Sequence, residues 1–357
     1  MEFEVKTSGL LADAAKNRKK KHETPSCPAC GEPLEQGSTQ CEICGGSRLS
    51  DAELSAKLSE LARKRNIMVG IAIALVVVTV VFALALRGII NSPWIILIVI
   101  PFLLAFWPFS KATKYGGKIK AMVSTNLVRD LLAEVFDLQE YSYRSGVGEQ
   151  LVSRTGLIGG WNEYSGNDLV RGTYKGIPFT YSDVHLERVT TTTGSDGDTH
   201  TKRETIFRGQ WMVCDIKKNL ASSLAVRERP RYAKERDQRK VDKRLASSVE
   251  TENIAFNEQF QIVTADPHTA FYILTPHFME HIVSADQAAD GKTFLYFEGQ
   301  QAHVAVHNGR NSLELHSTKE AADVPALRAR FRAELKYITG IVDELLKNDY
   351  LFHEEEN

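Results

Sequence analysis

The amino-acid sequence predicts an α+β protein in which an N-terminal zinc ribbon, a two-helix transmembrane hairpin and an antiparallel β-sheet domain with packing helices follow one another. Three observations predict this order. Four of the five cysteines form two C-x-x-C pairs near the N-terminus, residues 67–109 carry two long apolar blocks, and the later chain changes from a helical period to a period of two. We divide the chain where its composition changes.

The chain begins with a hydrophilic tail at residues 1–25, which is expected to be flexible. Its basic residues are Lys16, Arg18, Lys19, Lys20 and Lys21. Such a run is usually a solvated segment, and attraction to anionic lipid headgroups is the alternative. The tail does not have the pattern of a cleavable signal, so the first apolar block is expected to act as the insertion signal.

The zinc ribbon is predicted at residues 26–47. Cys27 and Cys30 form one pair and Cys41 and Cys44 the other, with a glycine directly after each pair. Four thiolates complete a tetrahedral shell around one Zn²⁺ and leave no open position for water or substrate, so the metal is expected to be structural. Disulfides and redox sensing are the alternatives, and a reducing compartment favours zinc.

Residues 50–65 are predicted to form a short amphipathic helix. Ser50 and Glu53 match a capping box at its start. A narrow apolar stripe follows at Leu54, Leu58 and Leu61. We expect this stripe to pack on the ribbon or to lie along a membrane surface.

Residues 67–109 are predicted to form the transmembrane helical hairpin. The blocks at 67–86 and 89–109 are each close to the roughly 20 residues that cross a bilayer, and Arg87 is the only charge between them. The link at 87–93 is too short to span the bilayer, so the chain must return to the side from which it came. A buried hairpin in a large soluble core is the alternative, which so long an uncharged run disfavours.

The topology follows from the basic residues around the hairpin. They are Arg63, Lys64 and Arg65 before it and Lys111, Lys114, Lys118 and Lys120 after it. Because positive charge favours the cytoplasmic side, both termini are expected in the cytoplasm. The prediction is a multi-pass protein of the bacterial inner membrane.

The 357 residues leave room for one sizeable folded domain after the hairpin. The formal net charge of −1 excludes the strongly basic balance that is typical of nucleic-acid-binding proteins. A hydrophobic content of 43% excludes a largely disordered chain.

Residues 112–357 are predicted to form this cytoplasmic α+β domain. Apolar residues recur three and four positions apart at 119–136, which predicts a long amphipathic helix. Thr275 and Pro276 match the start of another helix. A closing helix has its apolar stripe at Leu327, Phe331, Leu335, Ile338, Val342 and Leu345. Antiparallel strands are predicted at 169–174, 177–184, 205–216, 254–265, 292–299, 301–307 and 312–316.

Two segments of this domain have a loop-like composition. Residues 190–201 are rich in Thr, Gly and Asp, which predicts a mobile loop. Residues 227–244 are strongly basic and are expected to be exposed, as a solvated excursion or as a contact for lipid headgroups or nucleic acid.

The sequence contains, in this order, a predicted hairpin, the segments LVRGTYKGIPFTYSDV and FRGQWMV, and the stretch FNEQFQIVTADPHTAFYILTPHFMEHI. In the order of these segments the chain resembles an uncharacterised bacterial family. This family consists of membrane-anchored proteins with a domain of unknown function after a transmembrane hairpin. The resemblance covers about 127–315 and implies no known activity. The zinc ribbon is an addition outside it.

Three patterns suggest catalysis, and we interpret each as structural. His277, Glu280 and His281 have the H-x-x-E-H form of inverted zinc metallopeptidases, but helical geometry turns both histidines away from the apolar face. The tract at 291–293 resembles the end of a phosphate-binding loop, but it lacks the first glycine of that motif. Cys214 is expected to be a core residue of a strand.

The predicted function is therefore that of a membrane-tethered cytoplasmic adaptor or scaffold, without an enzymatic activity and with a protein partner. Contacts with the bilayer and with anionic headgroups are also expected, whereas nucleic acid is disfavoured. A membrane-bound zinc metallopeptidase and a nucleic-acid-binding membrane protein are the alternatives. Counting bound zinc separates the peptidase from the adaptor, because a second ion held by histidine would favour the enzyme.

Overall fold

The computed structural model describes residues 50–85, 96–193, 198–229, 248–289, 291–315, 317, 320, 323–347 and 351. The tail, the ribbon with its four cysteines and most of the basic segment lie outside the described residues. The helices are α1 (Asp51–Ala85), α2 (Ile96–Val123), α3 (Arg129–Val135), α4 (Glu149–Thr155), α5 (Ile254–Gln259), α6 (Pro267–Ile273), α7 (Pro276–Ala289) and α8 (Val324–Leu346). The strands are β1 (Asp137–Ser142), β2 (Glu163–Tyr174), β3 (Ile177–Thr193), β4 (Thr199–Glu228), β5 (Ser248–Val249), β6 (Phe260–Thr264) and β7 (Lys292–His307).

Helix α1 joins the predicted amphipathic helix and the first apolar block without a break. The capping box is confirmed, since the Ser50 backbone N–H and hydroxyl donate to Glu53 Oε2 at 2.9 and 2.8 Å. The expected location of the apolar stripe is wrong. Leu54 and Leu58 are buried in the core of the sheet domain, and Arg328 of α8 donates to Asp51 at 2.7 Å. The stripe therefore packs on the domain, because the start of α1 lies against α8.

The later half of α1 is a candidate membrane span. Its apolar side chains are exposed, with Val81 and Leu84 each 57% accessible. Among the described residues, α1 is the one helix that is long and apolar enough to cross a membrane. The second crossing and the location of the termini stay predictions.

Helix α2 contains the described part of the second apolar block and lies antiparallel to α1. Arg65 lies beside Gly116, while Val76 and Phe102 line the same groove further along the pair. The apolar side chains of α2 are also exposed, with Phe106 at 73%. The two helices thus present a shared apolar surface.

The predicted amphipathic helix after the second block is confirmed, but it contains a π-helical turn. The helix runs through α2, a π segment at Ser124–Val128 and α3. Within it, the Thr125 hydroxyl donates to Ala121 O at 2.8 Å and the Asn126 amide donates to Met122 O at 3.0 Å. Because all five residues of the π segment are buried, α2 continues directly into the domain core.

The seven strands form one antiparallel sheet around β4. The path of the sheet is β1-β2-β3-β4-β6-β5, and β7 pairs with the other edge of β4. Strands β2 and β3 meet at the predicted Lys175–Gly176 turn, where both residues have positive φ (49° and 81°). This is the conformation of a type I′ hairpin turn.

Each face of the sheet has its own core because alternate residues of a strand point to opposite faces. Met212 and Cys214 of β4 pack with the helices of the first face. Trp211 and Val213 pack with α4 and the chain around it on the second face. The predicted stripe of α8 is confirmed where its side chains are described, with Phe331 and Leu345 fully buried.

Four predicted loop and strand assignments are wrong. Most of the expected loop at 190–201 is strand, with Thr190 paired to Lys202 and Thr193 to Thr199. The expected strand at 254–265 begins as helix α5, because the Asn253 side chain accepts from Phe256 N and caps a helix. Residues 292–307 form one strand instead of two, and the expected strand after it is a turn at 312–313.

Candidate functional site

The predicted metal ligands Cys27, Cys30, Cys41 and Cys44 lie outside the described residues, so the zinc site stays a prediction. Within the part of the chain that the structure describes, no group of three or more His, Cys, Asp or Glu side chains is arranged to hold a metal ion.

His277 lies on the exposed side of α7, as predicted, whereas His281 is half-buried. Phe278, Met279 and Ile282 are buried, whereas His277 and Glu280 are exposed. The Nε2 atoms of His277 and His281 are 3.0 Å apart and their rings meet edge to face. This distance is that of one hydrogen bond between the two rings. Among the described residues, the two histidines and Glu280 do not form a group that could hold a metal ion.

The other two patterns are also structural. Cys214 is 1% exposed, and burial raises the pKa of its thiol to about 12. Such a thiol is a core residue instead of a nucleophile. Asp286, which stands where a phosphate loop needs glycine, accepts the Thr293 backbone N–H at 2.8 Å and a Gln259 amide hydrogen at 2.7 Å. It therefore holds the connection between α7 and β7.

The structure instead brings together a buried polar cluster where α2 enters the domain. Asp168 and Asp183 are each 1% exposed and lie on neighbouring strands beneath the π segment. Tyr141 donates to Asp168 Oδ1 at 2.8 Å, and the Asn167 amide donates to Oδ2 of the same carboxyl group. The Ser124 hydroxyl lies beside the Tyr141 hydroxyl, so the π segment and β2 meet through Tyr141.

Asp168 occupies an irregular point of its strand. The register between β2 and β3 shifts between Asn167 and Val170, and Asp168 has a φ of 56°. A β-bulge of this kind redirects a side chain. The bulge turns the Asp168 carboxyl towards Tyr141 and the helix above it.

Asp183 is the less well satisfied of the two carboxyl groups. The Ser312 backbone N–H lies close to it and partly lowers its pKa. Among the described residues, neither carboxyl oxygen has a hydrogen-bond partner of ordinary geometry. A buried carboxylate without partners is costly, so the group favours its neutral form.

An ion pair closes this cluster towards the helices. Lys120 of α2 donates to Glu314 Oε1 at 2.9 Å, and the Asn311 amide donates to Glu314 Oε2 at 2.7 Å. Glu334 of α8 accepts the backbone N–H of Leu313 at 2.8 Å. The loop after β7 is therefore held between α2 and α8.

Leu313 in that loop has a φ of 54°. A branched side chain in this region costs roughly 1–2 kcal/mol, and such strain persists only where the surroundings hold it. Backbone strain of this kind is concentrated at functional sites in proteins, which makes this loop a candidate.

The electrostatics of the cluster favour bound protons. Burial raises the pKa of Asp168 from 3.8 to about 6, against the lowering effects of Tyr141 and Lys120. Burial, and then the charge of Asp168, raises the pKa of Asp183 well above its ordinary range. The Asp168 carboxyl therefore holds its proton up to a higher pH than an exposed aspartate does.

A cavity of about 280 Å³ opens above the cluster, between α1, α2 and the loop after β7. Its polar lining comes from Arg65, Lys120, Ser124, Glu314 and Ser317. Its apolar lining comes from Ile119, Val123, Leu313 and Leu315. Ser124 lines this cavity and also lies beside Tyr141, so the cavity adjoins the buried cluster.

A second buried titratable group lies on the opposite face of the sheet. His303 is 1% exposed, and burial lowers its pKa to about 4. Trp211 Nε1 donates to His303 Nδ1 at 3.3 Å, and Tyr296 meets the imidazole ring edge to face. The neutral imidazole is a satisfied core residue that fixes the packing of Trp211.

Sequence reasoning missed the cluster. One available signal is that Asp183 follows Phe179 and Tyr181 at the inward positions of a strand. An acidic residue in such a register is buried and calls for explanation. The positions of Lys120 and Asp168 gave no comparable signal, since each adjoins a polar stretch of sequence.

Residues 205–347 match the family described as "Protein of unknown function (DUF3137)". The matched segment runs from β4 to α8 and is less than half of the chain. The resemblance to a family of unknown function is expected over about 127–315, and the match covers the later segment 205–347. The predicted ribbon and the apolar helices lie outside this match. No curated protein matches the chain.

The crystal structure of the mycobacterial trehalose monomycolate transport factor A, TtfA, is similar over 60% of this chain and 95% of that chain. The identity is 11% and the TM-score is 0.28. A likeness of this degree establishes neither a common fold nor a common activity.

Proposed function

We propose that this protein is a membrane-tethered scaffold whose sheet domain is held in one orientation beside the bilayer to bind a protein partner. In this proposal the hairpin lies in the bacterial inner membrane, both termini are cytoplasmic, and one structural Zn²⁺ is bound by Cys27, Cys30, Cys41 and Cys44. Tethering raises the effective concentration of partners that share the membrane.

The observation that carries the proposal is the continuity of α1. Leu54 and Leu58 at its start are 1% and 0% exposed in the domain core, whereas Leu84 near its end is 57% exposed. One helix therefore belongs to the core and to the apolar surface at once. A flexible linker would also tether the domain, but it would not fix which side faces the membrane.

The second helix supports the same interpretation. The segment from α2 through Ser124–Val128 into α3 is helical throughout, and the π segment is buried in the domain. Two rigid attachments at different points restrain both the tilt and the rotation of the domain. Such restraint is useful to a scaffold that must present a particular surface.

We assign the partner surface to exposed apolar side chains on α5 and α6. Ile254 is 74%, Phe271 50% and Tyr272 58% exposed. These side chains lie far along the chain from the apolar helices, and the two helices that carry them flank β6 in sequence. Exposed aromatic residues are enriched at protein interfaces.

The proposal is tested by crosslinking the full-length protein in its membranes before purification in detergent. The wild type should form a crosslink to a partner protein, and the double substitution Ile254→Ser and Phe271→Ser should abolish this crosslink. The membrane fraction and the thermal midpoint should not change, because these side chains are exposed. An unchanged set of crosslinked proteins would contradict the proposal.

The matched control is the double substitution His277→Ala and His281→Ala, also on an exposed helical surface. It should retain the partner and change stability by no more than about 0.5 kcal/mol. Its zinc content should stay at one ion per chain. Loss of a second zinc ion would support the metallopeptidase alternative instead.

A further inference from the structure

We propose that the cavity at the junction of α1, α2 and the loop after β7 binds the headgroup of an anionic glycerophospholipid. The acyl chains would lie in the apolar groove between the two helices. This inference rests on the membrane tether of the proposed function, but it assigns a specific ligand and a specific site.

The charge of the cavity fits one anionic headgroup. Lys120 and Glu314 in its lining neutralise each other across 2.9 Å. Arg65 has no ion-pair partner among the residues that the structure describes, so the described part of the lining carries one net positive charge. Arginine is well suited to phosphate because its planar group donates two parallel hydrogen bonds.

The position of the cavity also fits a headgroup. Arg65 precedes Ile67, whose side chain is 48% exposed at the start of the apolar part of α1. On α2, Lys111 lies 5.9 Å from the ring of Trp107, a pairing suited to the membrane interface. The cavity therefore opens at the level where a bilayer presents its phosphates.

A separate apolar groove lies further along the same two helices. It encloses about 420 Å³ and is lined by Ala72 and Val76 of α1 and by Phe102 and Phe109 of α2, among others. At 3.6 residues per turn, positions seven or eleven apart lie within about 20° of each other around a helix.

That spacing relates Arg65 to Ala72 and Val76 on α1. It also relates Phe109 to Gly116 and Lys120 on α2. The cationic cavity and the apolar groove therefore lie on the same side of the helix pair, with their nearest α1 residues about 10 Å apart along the axis. This is the arrangement of an amphiphile with one charged end.

Gly116 provides the space for the headgroup. A Cβ atom at this position would lie 3.8 Å from Arg65 Nε, so a small side chain fits but a large one fills the space beside the guanidinium group. The position thus offers a way to block the cavity without changing its charge.

The test uses full-length protein in a non-ionic detergent, with mixed micelles that contain phosphatidylglycerol or phosphatidylcholine. Bound lipid is counted by native mass spectrometry. We expect the wild type to retain one phosphatidylglycerol and no phosphatidylcholine. Arg65→Gln should reduce the occupancy roughly tenfold, the effect of losing one charged contact. Gly116→Leu should also abolish retention.

The matched control is Arg63→Gln, which removes the same charge two positions away on the opposite side of α1. It should retain the lipid. Equal losses of bound lipid in the two arginine variants would overturn the proposal. They would indicate that the lipid is attracted to the positively charged surface in general and not to one site. Equal retention of phosphatidylcholine would also overturn it.

Two further experiments distinguish a lipid site from a site for free phosphate and test the membrane tether by itself. Inorganic phosphate should not displace the lipid; displacement at matched concentration would indicate a site for free phosphate and overturn the assignment. Membrane extraction at alkaline pH tests the tether by itself. Wild-type protein that resists extraction but retains no phosphatidylglycerol contradicts only this inference, whereas protein that is extracted contradicts the tether.

Discussion

Asp168 combines a left-handed backbone with a buried carboxyl group, and the two features have one cause. The bulge in β2 gives the residue a φ of 56° and directs its carboxyl into the cluster beneath α2. There burial raises its pKa to about 6, while Lys120 and Tyr141 act in the opposite direction. A residue with this pKa is sensitive to pH within the physiological range.

The sign of its effect on stability follows from linkage. The folded protein holds this proton more tightly than the unfolded chain, whose carboxyl has an ordinary pKa of 3.8. The stabilisation from Asp168 is therefore complete below about pH 4 and is lost as the pH rises to about 6. A pKa difference of about two corresponds to about 3 kcal/mol.

We predict that Asp168→Asn stabilises the protein above pH 6 by up to about 3 kcal/mol relative to its effect at pH 4. Asparagine is neutral at every pH, accepts from Tyr141 and tolerates positive φ. Denaturant unfolding in detergent at several pH values measures the difference between variant and wild type. Asp168→Ala is the control and should destabilise at every pH, since it loses the hydrogen bonds and strains the bulge.

At the scale of elements, the two ends of α1 have different surroundings. Leu58 is fully buried beside the helices of the domain, and Leu84 is 57% exposed in the apolar belt. Two leucines of one helix therefore lie in different environments, one in the domain core and the other on the apolar surface.

We predict that Leu58→Ala lowers the free energy of unfolding by about 2–5 kcal/mol, because it leaves a cavity in a packed core. Leu84→Ala should change it by about 0.5 kcal/mol or less. Chemical denaturation of both variants in the same detergent provides the comparison. Equal effects would show that the start of α1 does not belong to the domain core.

The ribbon predicted at residues 26–47 is expected to fold separately from the sheet domain. We predict that Cys27→Ser or Cys44→Ser releases the zinc and unfolds residues 26–46, because metal binding supplies most of the folding free energy of such a module. The unfolding midpoint of the sheet domain should not change, since its two cores are separate from the ribbon sequence. Zinc analysis of wild-type protein with less than one ion per chain would refute the assignment.

At the scale of the whole molecule, the apolar helices and the sheet domain form one body. Lys120 of α2 and Glu314 after β7 are 194 positions apart in sequence and 2.9 Å apart in space. Arg332 of α8 likewise donates to Glu134 of α3 at 2.7 Å. The orientation of the domain is thereby linked to the helices that we propose lie in the membrane.

We predict that reporters fused to either terminus behave as cytoplasmic. The physical reason is the basic residues on both flanks of the hairpin, with Arg87 alone in the link. Paired fusions to an enzyme active only in the periplasm and to one active only in the cytoplasm measure this. Periplasmic activity of a fusion at Asn357 would exclude a hairpin.

The sequence by itself determined the features that depend on neighbouring residues. The Ser50–Glu53 capping box and the helix that starts at Pro276 are local patterns, and both are present. The exposed side chains of His277 and Glu280 follow from helical geometry alone. The loop predicted at 190–201 failed because pairing between the long strands β3 and β4 overrode a loop-like composition.

Only the tertiary structure decided what each apolar stripe packs on and which polar groups meet. Leu54 and Leu58 are equally suited to a ribbon, a membrane or a domain, and the contact with α8 selects the last. Asp168, Asp183, Lys120 and Glu314 come from four separate segments, and the burial of the two aspartates in the folded chain raises their pKa values. Local sequence does not encode such convergence, because desolvation depends on everything that surrounds a group after the chain has folded.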